Sequence, residues 1–154
     1  MPMKESKAAR PGSKRPSSKV HRRLIDVSAA LIFHKGNLLI TRRKAGSHLG
    51  GLWEFPGGKR EPNETFEQCL AREIHEELGM EIAVGELFEE ITHNYETKSV
   101  RLKFFVCQWL QGEPQALGCD EFKWVRQSQL ADYAFPAADA RLLKKLAQTR
   151  AFPN

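Results

Sequence analysis

Apolar and polar positions change period along the chain, and each change marks an element. Leu24 to Phe33 is β-rich and apolar and reads as a strand. Lys35-Gly36-Asn37 is a turn signal, and Leu38 to Thr41 is a second strand, so 24–43 reads as a hairpin. Residues 44–52 form a Gly-rich loop. Trp53 to Pro56 is a short strand that Pro56-Gly57-Gly58 should halt. Thr65, with Gln68 three residues on, is a capping-box signature, and the helix it opens should stop after Leu78 at Gly79. Strand-like stretches follow at 81–94 and 99–110, separated by Tyr95 to Lys98. Phe122 to Val125 is another strand, Ser128 to Ala131 a short helical turn, and Ala137 to Gln148 an amphipathic helix with Leu142, Leu143 and Leu146 on its apolar side. Strands mixed with two substantial helices predict an α/β domain with a mixed sheet.

The helix at 65–78 carries its acids on the wrong face. At about 100° per residue, Phe66, Leu70, Ile74 and Leu78 form the core-facing stripe. Glu77 falls inside that stripe, Glu73 on its edge, and Glu76 beside them. Three carboxylates within a turn repel one another, and they stand near the helix C-terminus, where the macrodipole disfavours anions. A hard divalent cation would compensate them. A solvated acidic helix end, with Arg72 and Glu76 as an i,i+4 pair, is the plain alternative.

Charge divides the chain of 154 residues. Residues 1–23 hold eight Lys/Arg against one acid, so that segment is +7. The remainder is −2. The first twenty-odd residues are rich in Lys, Arg, Ser and Pro and nearly lack large apolar side chains, so residues 1–22 are expected to be a disordered basic tail and 23–150 the folded domain. The tail lacks the apolar core of a secretory signal. A weak salt-sensitive contact with nucleic acid is the function its charge would support, and a solvated extension is the plainer reading. No apolar run approaches a membrane span. Cys69, Cys107 and Cys119 make neither an even set nor a CxxC pair, which points to thiols in a reducing, cytoplasmic setting.

Spacing adds what periodicity leaves open. From Gly58 the chain reads five residues to Glu64, seven more to Arg72-Glu73-Ile74, then Glu76-Glu77, Gly79 and Met80. This resembles the Nudix box G-x5-E-x7-R-E-U-x-E-E-x-G-U at all nine specified positions. Leu52 to Lys59, Ile40 to Arg43, Gly112-Glu113-Pro114 and Phe135 to Asp139 resemble the MutT-type branch, the 8-oxo-dGTP diphosphatase kind. The resemblance implies the Nudix fold, a mixed β-sheet sandwiched between helices. It also implies Mg²⁺, with Mn²⁺ as a substitute, held by Glu73, Glu76, Glu77 and the Gly57 carbonyl, and Arg72 orienting the carboxylates. Glu73 is the favoured base, with Glu76 beside it, and Glu64 would hold the loop against the helix. By the same carry-over Arg43 and His48 would lie near phosphates and sugar, Glu54 and Phe55 at the base, and Asp139 at its reading edge.

Such enzymes attack the β-phosphorus of a nucleoside triphosphate with water and release pyrophosphate. The expected substrate is 8-oxo-dGTP or a related guanine nucleotide. The alternatives are CTP or a modified dCTP, and a noncatalytic lesion-recognition module, which would have no need of the intact glutamates. The expected assembly is a monomer or homodimer. MutT-type enzymes carry a further metal-binding carboxylate where Gly118 stands here; Asp120 or Glu121 would replace it after a small loop shift.

Overall fold

The computed structural model describes residues 23–150 and 152–153, so the tail expected over 1–22 lies outside the described residues. β1 (Arg23–His34) runs through the middle of a mixed sheet. On one side it pairs in parallel with β6 (Lys98–Gln111), from Arg23 opposite Lys98 to Ile32 opposite Cys107. Its other edge is shared. β4 (Gly57–Lys59) pairs antiparallel with Val27 to Ala29, and β2 (Asn37–Arg42) takes over at Phe33 and His34. β2 also pairs with β3 (Trp53–Glu54) and β7 (Glu121–Arg126), while β5 (Glu81–Asn94) forms the far edge beside β6. The sheet therefore opens where β1 changes partner, and the segment around Phe55 and Pro56 crosses that opening.

Alternation along β1 makes two cores. Ala30 and Ile32 face α1 (Phe66–Leu78), joining Leu70, Ile74, Leu78, Met80 and Phe105. Ala29 and Leu31 face the other way and join Phe55, Phe104, Leu130 and the buried Leu142 and Leu146 of α2 (Ala140–Gln148). This is the expected sheet between helices. α1 forms where its caps say it should: Thr65 accepts from the Gln68 amide, the Gln68 side chain accepts from the Thr65 amide, and Gly79 takes the left-handed conformation at φ 69°.

Two expectations need correcting. The strand expected over Trp53 to Pro56 ends already at Glu54, and Gly57 and Gly58, expected only as a break, begin a further strand, β4. The reason is non-local. A Cβ on Gly57 would fall 1.9 Å from the Ser28 carbonyl oxygen, so the missing side chain is what lets β4 lie against β1. The helix expected over 137–148 starts with a 3-10 turn at Ala137–Asp139, and regular α-helix begins only at Ala140.

Thr65→Ala should lower stability by about 1 kcal/mol, the usual cost of a lost N-cap. Urea unfolding reads it as a lower midpoint at unchanged slope.

Candidate active site

Arg72 organises the acidic face of α1. Its Nε donates to Glu64 Oε1 at 3.0 Å and Nη2 to Glu64 Oε2 at 2.7 Å, a two-pronged pair. Nη1 reaches Glu73 Oε2 at 3.0 Å and Glu76 Oε1 at 3.3 Å, and Nη2 also donates to the Lys59 carbonyl at 3.2 Å. Glu64 in turn accepts from the Glu61 amide at 2.8 Å. The guanidinium hydrogen bonds hold the Glu64 carboxyl down at about 2, and the Glu64 contact holds Arg72 above its ordinary value. Glu64 thus ties the loop before α1 to the helix, as expected.

Glu77 lies within the apolar stripe and is 9% exposed. Its Oε1 accepts the Gly57 amide at 3.2 Å. Burial, then the charges of Glu54 and Glu73, push its carboxyl up to about 8 against the pull of that amide. Burial also raises Glu73, against its bond to Arg72. The Glu73 carboxylate sits hard against β4: a Cβ on Gly58 would fall 2.4 Å from its Oε1. Arg72, Arg43 and Lys44 leave Glu77 without a direct cationic partner among the described residues. Glu73, Glu76, Glu77 and Gly57 line one cleft of about 340 Å³ together with Glu54 and Arg43. Among the described residues no three acids close around one point, because Arg72 holds Glu73 and Glu76 to itself. The donor set is nevertheless all oxygen, and buried Glu77 within it has no cationic partner among the described residues. That chemistry fits a hard divalent cation.

A second cavity, about 200 Å³, adjoins the cleft and shares Arg43, Glu54 and Gly57 with it. Arg43 spans the junction. Its Nε donates to the His48 carbonyl at 2.7 Å and its Nη1 to Glu54 Oε1 at 3.0 Å. Burial raises the Glu54 carboxyl, and Arg43 opposes the rise. Phe55 is core and cavity wall at once: it is 4% exposed and stacks on Phe135 with centroids 5.1 Å apart. His48 lines the same cavity, its ring centroid 5.9 Å from that of Tyr95 in an edge-to-face arrangement. At the back, Asp139 is 6% exposed. Its carboxyl makes no helix-capping bond, and burial, with the Glu54 charge, pushes it up to about 7.

Nine of the ten sequence-derived site residues therefore line two joined cavities, and the tenth, Arg72, lines neither but is bonded to Glu73 and Glu76, which do. The structure adds Tyr95 and Lys98, which line the second one; the Lys98 ammonium stands 5.5 Å over the Tyr95 ring. In the sequence both sit in what reads only as a separator between strands, and the one available signal was an aromatic and a cation in a short turn. The expected stand-ins for the loop carboxylate are corrected. Asp120 Oδ2 accepts the Ala45 amide at 3.1 Å, and Glu121 pairs with Arg42 at 3.4 Å, so each is engaged outside the cleft. Gly118 packs on Glu77 itself, where an added Cβ would meet the Glu77 Cα at 3.2 Å. The further acid that does line the cleft is Glu54.

The NUDIX domain pattern matches residues 28–145, which spans the sheet, α1 and both cavities. The chain belongs to the NUDIX domain family. An 8-oxo-dGTP diphosphatase of Haemophilus influenzae is 37% identical over 81% of this chain and 93% of its own length. A CTP pyrophosphohydrolase of Escherichia coli is 35% identical over 84% of this chain and 96% of its own. The crystal structure of a MutT protein from Methanosarcina mazei superposes with a TM-score of 0.74, at 26% identity, over 82% of this chain and 95% of that one. Among the described residues of this Nudix chain, no helix is long and apolar enough to cross a membrane.

The Glu64–Arg72 pair sets a pH dependence of stability. The folded carboxyl titrates near 2 and the free one near 4.5, so the pair's contribution is present above 4.5 and fades as pH falls towards 2. The stability gap between wild type and Glu64→Gln, read by urea unfolding, should be constant near neutrality and close over that window.

Proposed function

We propose that this Nudix chain is a Mg²⁺-dependent pyrophosphohydrolase that cleaves 8-oxo-dGTP or a related guanine nucleoside triphosphate to the monophosphate and pyrophosphate, clearing damaged precursors from the cytoplasmic pool. The observation that carries the reading is Asp139: a buried carboxyl, uncapped and without a hydrogen-bonding partner among the described residues, at the back of a cavity that opens onto the carboxylate cleft. A carboxyl so placed is free to accept the donors of a ligand that enters the cavity. Guanine offers two donors on one edge, N1–H and N2–H₂, and an ionised carboxylate offers two acceptors. The three cysteines are free and buried, which supports a reducing compartment.

Glu73, Glu76, Glu77 and the Gly57 carbonyl would hold Mg²⁺. When bound, the ion supplies charge neutralisation for the phosphates and a lower pKa for water. Glu73 would take the proton of the attacking water, with Arg72, bonded to it, keeping that carboxylate oriented. Arg43, at the junction, takes the phosphates in place of its contact with Glu54. Phe55 and Phe135 form the apolar wall against which a base packs.

The likeness to a CTP pyrophosphohydrolase supports a second reading. A protonated carboxyl presents one donor and one acceptor, which matches the N3 and N4–H₂ edge of cytosine. With the Asp139 group titrating near 7, the protonated form dominates below that pH and the ionised form above it.

The test is a panel of 8-oxo-dGTP, dGTP and CTP with Mg²⁺, scored for pyrophosphate release. EDTA should abolish turnover, and Glu73→Gln should cut kcat about 10²–10⁴-fold. The kcat/KM ratio of guanine to cytosine substrates should rise as pH passes upward through the Asp139 transition and lose that dependence in Asp139→Asn. Turnover that persists in EDTA, or a ratio that Asp139→Ala leaves untouched, would contradict the reading.

A further inference from the structure

Helix α2 begins on a residue that does not cap it. Asp139 occupies the N-cap position, where an aspartate ordinarily accepts a helix amide, yet it makes no such bond and lines the cavity instead. The nine-residue helix is led in by the 3-10 turn at Ala137–Asp139, whose Asp139 and Ala140 amides donate to the Pro136 and Ala137 carbonyls, a single turn with no side-chain cap behind it. That same end carries the carboxyl which has to hold still to read a base edge.

Arg141 and Lys145 add side-chain restraint to the backbone bonds of that turn. Arg141 Nη2 donates to the Glu90 carbonyl at 2.6 Å, and its Nε lies 3.4 Å from Glu89 Oε2. One turn on, the Lys145 ammonium donates to the Phe88 carbonyl and stands 4.4 Å over the Phe88 ring. Phe88, at a bulge, and Glu90 lie on β5, the edge strand, and both carbonyls accept from α2 side chains. An arginine in the first turn of a helix is unfavourable for the helix itself, because the positive end of the macrodipole repels it. What Arg141 grips on β5 explains its place. Leu142 and Leu146 hold α2 against the core, but apolar contact is non-directional and leaves rotation about the helix axis soft. Two hydrogen bonds at i and i+4 fix that rotation, and with it the direction in which Asp139 faces.

We propose that Arg141 and Lys145 are positioning residues for base recognition: by holding the edge carbonyls of Glu90 and Phe88 they orient the first turn of α2 so that the Asp139 carboxyl meets the base. The inference rests on the reading of the cavity as a base site.

The experiment combines steady-state kinetics on 8-oxo-dGTP and dGTP with amide exchange at residues 139–142. Arg141→Ala and Lys145→Met should each raise KM about fivefold, the scale of one lost hydrogen bond, and leave kcat within about twofold. Arg141→Lys and Lys145→Arg, which keep a donor, should restore KM. The KM effect should disappear in an Asp139→Ala background, because the residues act through that carboxyl. Arg141→Ala should also speed exchange at 139–142. An unchanged KM, or an equal KM rise with Asp139 removed, would overturn the proposal. Unchanged exchange would overturn it even if no triphosphate were cleaved. A wild-type protein that cleaves none of them, while Arg141→Ala still speeds exchange, would sink the base-site reading and leave the grip on β5 standing.

Discussion

Arg72 grips Glu64 with two hydrogen bonds and reaches Glu73 and Glu76 with a third nitrogen, and this clamp decides where the acidic face of α1 can stand. Without it the neighbouring carboxylates would repel one another into solvent, and the loop before the helix would have no charged tie to it. With it, Glu73 is pressed against Gly58 and Glu77 against the Gly57 amide. A planar guanidinium can serve several acceptors at once in fixed directions, which a lysine ammonium cannot. The clamp leaves one charge without a cation of its own: Glu77, whose burial and nearness to Glu54 make it costly to ionise. A fold tolerates such a group when a ligand completes it.

The second half of the site follows from the split in the sheet. Because β1 exchanges β4 for β2 along one edge, the segment around Phe55 is free to wall a cavity beside the cleft. Glu54 faces both spaces. It raises the carboxyls of Glu77 on one side and Asp139 on the other, and is held by Arg43. Half-buried Glu54, paired with Arg43, thus stands electrostatically between buried Glu77 and buried Asp139, between the place where phosphates would be cut and the place where a base would be read. Binding that draws Arg43 towards phosphate changes the field at both ends.

Elements whose signals are local were legible in the sequence. The α1 caps and the turns that join β1 to β2 and β5 to β6 depend on neighbours within a few residues, and the structure has them where capping and turn chemistry put them, although β1 pairs with β2 only at Phe33 and His34. β4 was not legible, because Gly57-Gly58 reads locally as a break and makes sense only against Ser28. The glutamates of α1 were legible as an anomaly on a helical wheel and as a spacing. Asp139 was named only by resemblance; its burial and missing cap, which give it meaning, depend on α2 packing against the sheet. Tyr95 and Lys98 escaped notice because their cavity forms only once the β5–β6 turn folds over the loop at His48.

Thermal melting of wild type and Glu77→Gln, in EDTA and in saturating Mg²⁺, at a pH above the value of about 8 to which Glu77 is pushed, tests most directly whether the buried charge on α1 is there for a cation. In EDTA the wild type has to bury an ionised group that glutamine lacks, so Glu77→Gln should melt higher. In Mg²⁺ the order should reverse, because a ligand stabilises the protein in proportion to how tightly its folded state binds it. A Glu77→Gln variant that melts below wild type in EDTA, and gains as much from Mg²⁺ as wild type does, would contradict it.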